Sequence, residues 1–193
     1  MKLVFVSNNQ NKLNEIRKML PKSIELVSLD EVEPGANIEE TATTLDGNAE
    51  IKAAYIWDKY KLNAFADDTG LEVAALDNAP GVYSARYAGE NADDADNMSK
   101  LLFHLENEPM RNARFRTSVC LIIEGKRNFF EGIIDGEITQ NPRGKNGFGY
   151  DPIFVPKGYN MTFGQMEAFM KNNMSHRKFA VTKMVNFLNQ NIK

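Results

Sequence analysis

Apolar and polar positions fall into blocks of differing period along the chain. KLVFV at 2–6 is a short, β-rich apolar run, which predicts a buried strand. The polar stretch SNNQNK follows, and NKLNEIRKML then sets Leu13, Ile16 and Leu20 at helical spacing until Pro21 stops the helix. IELVSL reads as a second strand, and EVEPGANIEETATTLDGN as an exposed, turn-rich loop. A helix is predicted from Asn48 to about Tyr60, with Ile51, Ala54, Tyr55 and Asp58 marking its turns. FADDTGLEVAAL reads as strand, loop and strand, with Asp67 and Asp68 at the mouth of the first.

Residues 93–106 predict a helix with Met98, Leu101, Leu102 and Leu105 as its apolar stripe. In ARFRTSVCLIIEGKRNFFEGIIDGEI, period-2 alternation on both sides of Glu124-Gly125-Lys126 predicts a β-hairpin. Phe115, Thr117, Val119, Leu121 and Ile123 alternate there with Arg116, Ser118, Cys120 and Ile122, so both faces should be partly buried. PRGKNGFGYDP reads as loop. HRKFAVTKMVNFLNQ repeats Phe179, Lys183/Met184 and Phe187/Leu188 as a final helix, with His176 and Arg177 just before it. The whole pattern predicts a mixed α/β protein with an antiparallel part. No internal repeat, low-complexity segment or compositional linker interrupts it, so 1–193 reads as a single domain.

Composition narrows the function classes. The 23 Lys and Arg against 26 Asp and Glu give −3, so no global basic field favours nucleic acid. The single cysteine, Cys120, has no internal disulfide partner and sits in the apolar run SVCLII, where a thiol is expected to be inert. The apolar run in MKLVFVSNN is too short for a signal peptide core or a membrane span. A cytoplasmic enzyme with no membrane partner is the expectation.

Two adjacent acids are costly unless a metal ion, a basic side chain or a water to be deprotonated sits beside them. With Glu39 and Glu40 of IEET, Asp67 and Asp68 form an oxygen-rich set suited to Mg²⁺, whereas no Cys/His cluster suits zinc. SNNQNK offers hydroxyl, amides and Lys12 at a loop-to-helix junction, the parts of a phosphate cradle without the full P-loop pattern. NGFGYDP sets two glycines around Phe148, whose ring offers a stacking face for a purine. SHRK supplies His176 and Arg177 as donors to a carbonyl, and GVYSARYAG sets Arg86 between two tyrosines. Each segment also has a structural reading: a polar helix cap, solvated glutamates, a tight turn with core aromatics, a capping serine, a stacked arginine.

SNNQNKLNEI, EET, NAEIKA, FADDTGLEV, APGVYSARYAG, NGFGYDPIF and SHR, taken in this order over nearly the whole chain, resemble the Ham1/RdgB-type inosine triphosphate pyrophosphatases. The resemblance implies an ITPase-like α/β fold: a long mixed central sheet flanked by helices, with two lobes and the active site in the cleft between them. It also implies a Mg²⁺-dependent homodimer that hydrolyses XTP, ITP and dITP to the monophosphate and pyrophosphate. By matching position, Asp68 resembles the catalytic base and Asp67 its electrostatic companion. Glu40, with Asp68, resembles the metal-binding set, Glu39 being the alternative. Ser7, Asn8, Asn9, Gln10, Asn11, Lys12, Thr69 and Lys171 resemble the phosphate and ribose contacts, with Lys52 adding positive charge nearby. Phe148, Gly149, Tyr150, Asp151, His176 and Arg177 resemble the base pocket. The chain departs from the pattern at Asn8, where the family usually has Gly, at Thr69, where Ser is commoner, and at AFMK, where an acidic EEK run is usual.

On that resemblance, Asp68 would deprotonate a water attacking the α-phosphorus, and donors on His176 and Arg177 would favour a 6-oxo purine over adenine. Three rivals remain: a Maf-type enzyme acting on dTTP or UTP, a catalytically silent nucleotide-binding regulator, and a nucleic-acid-binding module. FGYD and SHR speak against the first, the DD pair and EET against the second, and the −3 charge against the third.

Overall fold

The computed structural model describes residues 1–191. In chain order they form β1 (Lys2–Phe5), α1 (Gln10–Met19), β2 (Glu25–Ser28), α2 (Leu29–Val32), α3 (Leu45–Tyr60), β3 (Ala64–Val73), α4 (Asp94–His104), β4 (Asn112–Ile123), β5 (Lys126–Ile138), β6 (Phe154–Pro156), α5 (Ala168–Met174) and α6 (His176–Asn191). The six strands make one sheet in the order β2-β1-β3-β4-β5-β6. β1 runs parallel to both β2 and β3, whereas β5 and β6 are antiparallel, so the sheet is mixed. β4 turns into β5 through Glu124 and Gly125, at φ 49° and 79°, the pair of left-handed residues that a tight two-residue hairpin requires.

The chain divides into two compact units. One comprises Met1–Asp68, Thr117–Gly132 and the chain from Arg177 on; the other comprises Thr69–Arg116 and Ile133–His176. In the first, alternate strand residues serve two separate cores, because successive strand side chains face opposite ways. Leu3, Phe5, Phe65, Val119 and Leu121 pack with Leu13 and Ile16 of α1 and with Ala180, Val181, Met184 and Leu188 of α6. Val4, Val6, Ala64, Ala66, Cys120 and Ile122 pack with Ala49, Ala53 and Ile56 of α3. In the second unit, Leu71, Val73, Phe115, Ile138 and Phe154 form a core with Leu101 of α4 and with Leu105, the residue that caps its C-terminus. No helix among the described residues is long and apolar enough to cross a membrane.

Four local expectations need correction. FADDTGLEV is one unbroken strand, not strand, loop and strand, so the acid pair lies inside β3 rather than at its mouth. Gly70 within that strand admits a neighbouring backbone: a Cβ on it would stand 2.4 Å from the Gly81 carbonyl oxygen. The stretch read as a loop from Glu31 contains the end of α2, set by a capping box in which Ser28 N–H donates to Glu31 at 2.8 Å. It also contains the start of α3, which begins at Leu45 because Thr44 accepts from the Gly47 amide. The buried residues of α3 are Leu45, Asn48, Ala49, Lys52, Ala53 and Ile56, whereas Ile51, Ala54 and Tyr55 among the turn-marking positions are only partly buried and Asp58 is exposed. Finally, His176 and Arg177 open α6 instead of preceding it.

Candidate functional site

Asp67 and Asp68 are neighbours in sequence but belong to opposite faces of β3. Asp67 shares the parity of Phe65 and meets α1 and α6. Its Oδ2 lies 3.2 Å from Lys12 Nζ and accepts from Arg177 Nε at 3.0 Å. Arg177 also donates from Nη1 to Glu15, so a guanidinium only 1% exposed joins two carboxylates. Asp68 shares the parity of Ala66 and meets α3: Asn48 Nδ2 donates to its Oδ2 at 3.3 Å, and Lys52 Nζ lies 3.8 Å from Oδ1. Lys52 further donates to Glu40 at 2.6 Å and to the backbone carbonyl of Asp67 at 2.9 Å.

The two carboxyls are driven in opposite directions. Burial pushes Asp67 up, but the charges of Lys12, Arg177 and Lys52 outweigh burial and hold it well below the usual carboxylate range. Burial also pushes Asp68 up, and there Lys52 and Lys12 do not cancel it, so its carboxyl stays above the ordinary value. Lys12 is itself lowered by burial despite Asp67. Two acids with separated proton affinities are the usual arrangement where one holds charge and the other moves a proton.

The second unit holds another polar cluster. Lys171, 5% exposed, donates from Nζ to Asp151 Oδ2 at 2.6 Å, and its Nζ lies 4.6 Å from the centre of the Phe148 ring. Asp151 Oδ2 also accepts from the Phe148 amide at 2.8 Å. Gly147 leaves room for that carboxylate, since a Cβ there would come within 2.0 Å of it, and its φ of 78° suits glycine. Tyr150 is a core residue whose hydroxyl donates to the Ser84 carbonyl at 2.8 Å. The His176 ring is buried and stacks on Phe115 at 4.7 Å and 21°.

A model of the Ham1 family matches residues 3–187. The chain belongs to the Ham1 family. A dITP/XTP pyrophosphatase of Flavobacterium johnsoniae is 52% identical over 188 residues, covering 97% of this chain and 98% of that one. One of Porphyromonas gingivalis is 50% identical over 188 residues, covering 97% of both. Among solved structures, the Staphylococcus aureus Ham1 protein matches with a TM-score of 0.91 at 37% identity, over 98% of this chain and 99% of that one. A Coxiella burnetii HAM1 protein matches with a TM-score of 0.92 at 38% identity over the same shares.

In this Ham1 chain the SNNQNK segment caps α1. Asn9 accepts the Lys12 amide at 3.1 Å, the Asn9 amide donates to Ser7 Oγ at 3.2 Å, and Asn8 Nδ2 donates to the Ala36 carbonyl at 2.9 Å. Gln10 and Asn11 are exposed in the first turn, and no acid occupies that turn. Thr69 follows Asp68 in β3, half-buried, and Glu39 is exposed while Glu40 reaches Lys52. Arg86 lies over the Tyr83 ring at 5.3 Å and near Glu90 at 3.8 Å, the stacked reading of that residue.

No group of three or more His, Cys, Asp or Glu suited to a metal occurs among the described residues. Glu40 and Asp68 nevertheless converge on one cation, the Lys52 ammonium, at 2.6 and 3.8 Å. An oxygen pair aimed at a single positive charge fits Mg²⁺, which takes one or two carboxylates and completes its shell with waters and phosphates. Two residues of the site escaped sequence reasoning. Asn48 was visible only as a polar group four before Lys52 on the apolar face of α3, and Glu15 as an acid flanked by Leu13 and Ile16.

Proposed function

We propose that this Ham1 chain is a nucleoside-triphosphate pyrophosphatase that hydrolyses the non-standard purine nucleotides XTP, ITP and dITP to the monophosphate and pyrophosphate. The observation that carries the reading is the division of labour within β3, an ionised Asp67 clamped by Lys12 and Arg177 beside an Asp68 whose carboxyl burial pushes up. The names of the F. johnsoniae and P. gingivalis relatives support the substrate class.

In this mechanism Asp68 takes the proton from a water that attacks the α-phosphorus, with its carboxyl oriented by Asn48. Lys12 and Lys52 neutralise the developing phosphate charge. Asp67 holds those cations in place and stays ionised. Phe148 supplies the stacking face for the purine, and Lys171 with Asp151 fixes its surroundings. Glu40 and Asp68 would hold Mg²⁺, which supplies charge withdrawal from the phosphates when bound. A cytoplasmic homodimer completes the reading; the lone buried Cys120 suits a reducing compartment.

The test is pyrophosphate release from ITP, XTP, GTP, ATP and dTTP, each with Mg²⁺ and with EDTA. Metal-dependent release from ITP and XTP, with GTP and ATP far slower, is expected. Preference for dTTP would move the chain to pyrimidine chemistry, and no release from any of them would overturn the enzyme reading.

A further inference from the structure

Helix α4 begins at Asp94, capped by Asp93, whose side chain accepts the Asp96 amide at 2.9 Å. With its cap in place, the carboxylate of Asp94 is not needed to close the helix end. It reaches instead 55 residues along the chain: Asp94 Oδ2 accepts from the Gly149 amide at 2.6 Å. Three residues later Asn97, 3% exposed, accepts the Ala88 amide at 2.7 Å and donates to the Ala85 carbonyl at 3.2 Å. The first turn of α4 therefore grips two loops of its unit, residues 85–88 and the turn at 148–149.

The turn at 148–149 needs an external acceptor. Gly147 and Gly149 both adopt left-handed φ, 78° and 61°, a backbone with wide freedom unless something holds it. The Asn146 amide is taken by the Gly164 carbonyl, and the Phe148 amide by the buried carboxylate of Asp151. The Gly149 amide is taken by an exposed carboxylate from another element. That contact adds little to a buried core, but it holds the backbone immediately after Phe148, whose ring centre lies 4.6 Å from Lys171 Nζ.

We propose that Asp94 is a positioning residue for the purine: through the Gly149 amide it holds the Phe148 ring in the orientation that accepts the base. The assignment rests on the pyrophosphatase reading. It places specificity partly in a helix-end acid that touches no substrate.

The experiment compares the parent protein with Asp94→Ala and Asp94→Asn, reading KM and kcat for ITP, melting temperature, and hydrogen exchange at the Gly149 amide. Asp94→Ala should raise KM roughly three- to tenfold, the size one such hydrogen bond commands, with kcat within about twofold. Gly149 exchange should quicken in the same variant. Asp94→Asn keeps an acceptor oxygen and should stay near the parent in both KM and exchange. Equal melting losses in both variants with KM unmoved would mean that the acid serves only the helix dipole, and would overturn the proposal. Should the parent release no pyrophosphate from ITP or XTP, the function fails separately. Gly149 exchange then still decides the contact: quickening only in Asp94→Ala sustains it, and no change removes it.

Discussion

Arg177 donates from Nε to Asp67 at 3.0 Å across 110 residues of chain, joining the first turn of the last helix to the interior of β3. Both side chains are within 1% of complete burial. Removing one partner of such a pair strands the other's charge, so Arg177→Ala should destabilise the fold by about 3–5 kcal/mol in denaturant titration. Arg177 is thus expected to act on stability before it acts on base selectivity. A variant as stable as the parent would show that the buried charge of Asp67 does not depend on the guanidinium.

Asp67 also sets an acid limit. Its folded-state affinity for protons lies below the ordinary value of 3.8, so the stability it contributes is present above that value and lost as pH falls through the folded one. Asp68 has the opposite sign: its raised carboxyl favours the fold at low pH and ceases to do so as pH rises through its folded value. Asp67→Asn should therefore start less stable at neutral pH and lose less of what remains between pH 4 and 2, measured by thermal melts across that range.

Turnover should depend on the other acid. Asp68→Asn keeps the shape and the contact to Asn48, so the protein should fold and lose about 10²–10⁴ in kcat for ITP, the usual worth of a general base. Near-normal turnover in the folded variant would assign the proton to another group.

Gly70 permits a contact that no other residue could. An added Cβ would meet the Gly81 carbonyl oxygen at 2.4 Å and its carbon at 2.8 Å, both backbone atoms. Gly70→Ala should cost about 1–3 kcal/mol by overpacking, read as a lower denaturation midpoint with an unchanged slope.

Burial pushes the Cys120 thiol up to about 12 and leaves it 0% exposed. The folded protein at pH 8 should therefore resist a thiol-reactive disulfide reagent, and denaturant should release one reactive equivalent. Rapid labelling of the folded chain would place that thiol nearer the surface.

Elements that bury a periodic face were legible from sequence. The stripe of α4 through Leu101 to its capping residue Leu105, the double-sided alternation of β4 and its tight turn all follow from local pattern. α5 was not legible, because AFMKNNM leaves Phe169 81% exposed and offers no repeating apolar face. In α6 the buried side is Ala180, Val181, Met184 and Leu188, with Phe187 packed against the same core and Phe179 41% exposed, so the helix turns one of its two aromatics away from the sheet. The site was half legible. Motif resemblance pointed to Asp68, Glu40, Lys12 and Lys171, but the partners that make Asp67 and Asp68 unlike arrive from distant elements and have no local signature.

The strand that carries both acids assigns their surroundings by odd and even place. Inserting one residue ahead of Asp67 within β3 would send each carboxylate to the other's side, giving Asp67 to Asn48 and Lys52 and Asp68 to Arg177. Inserting two would restore the sides while shifting both along the sheet. The side each carboxylate faces is therefore set by the same rule that sorts the two cores, and a one-residue slip of β3 would unmake both at once.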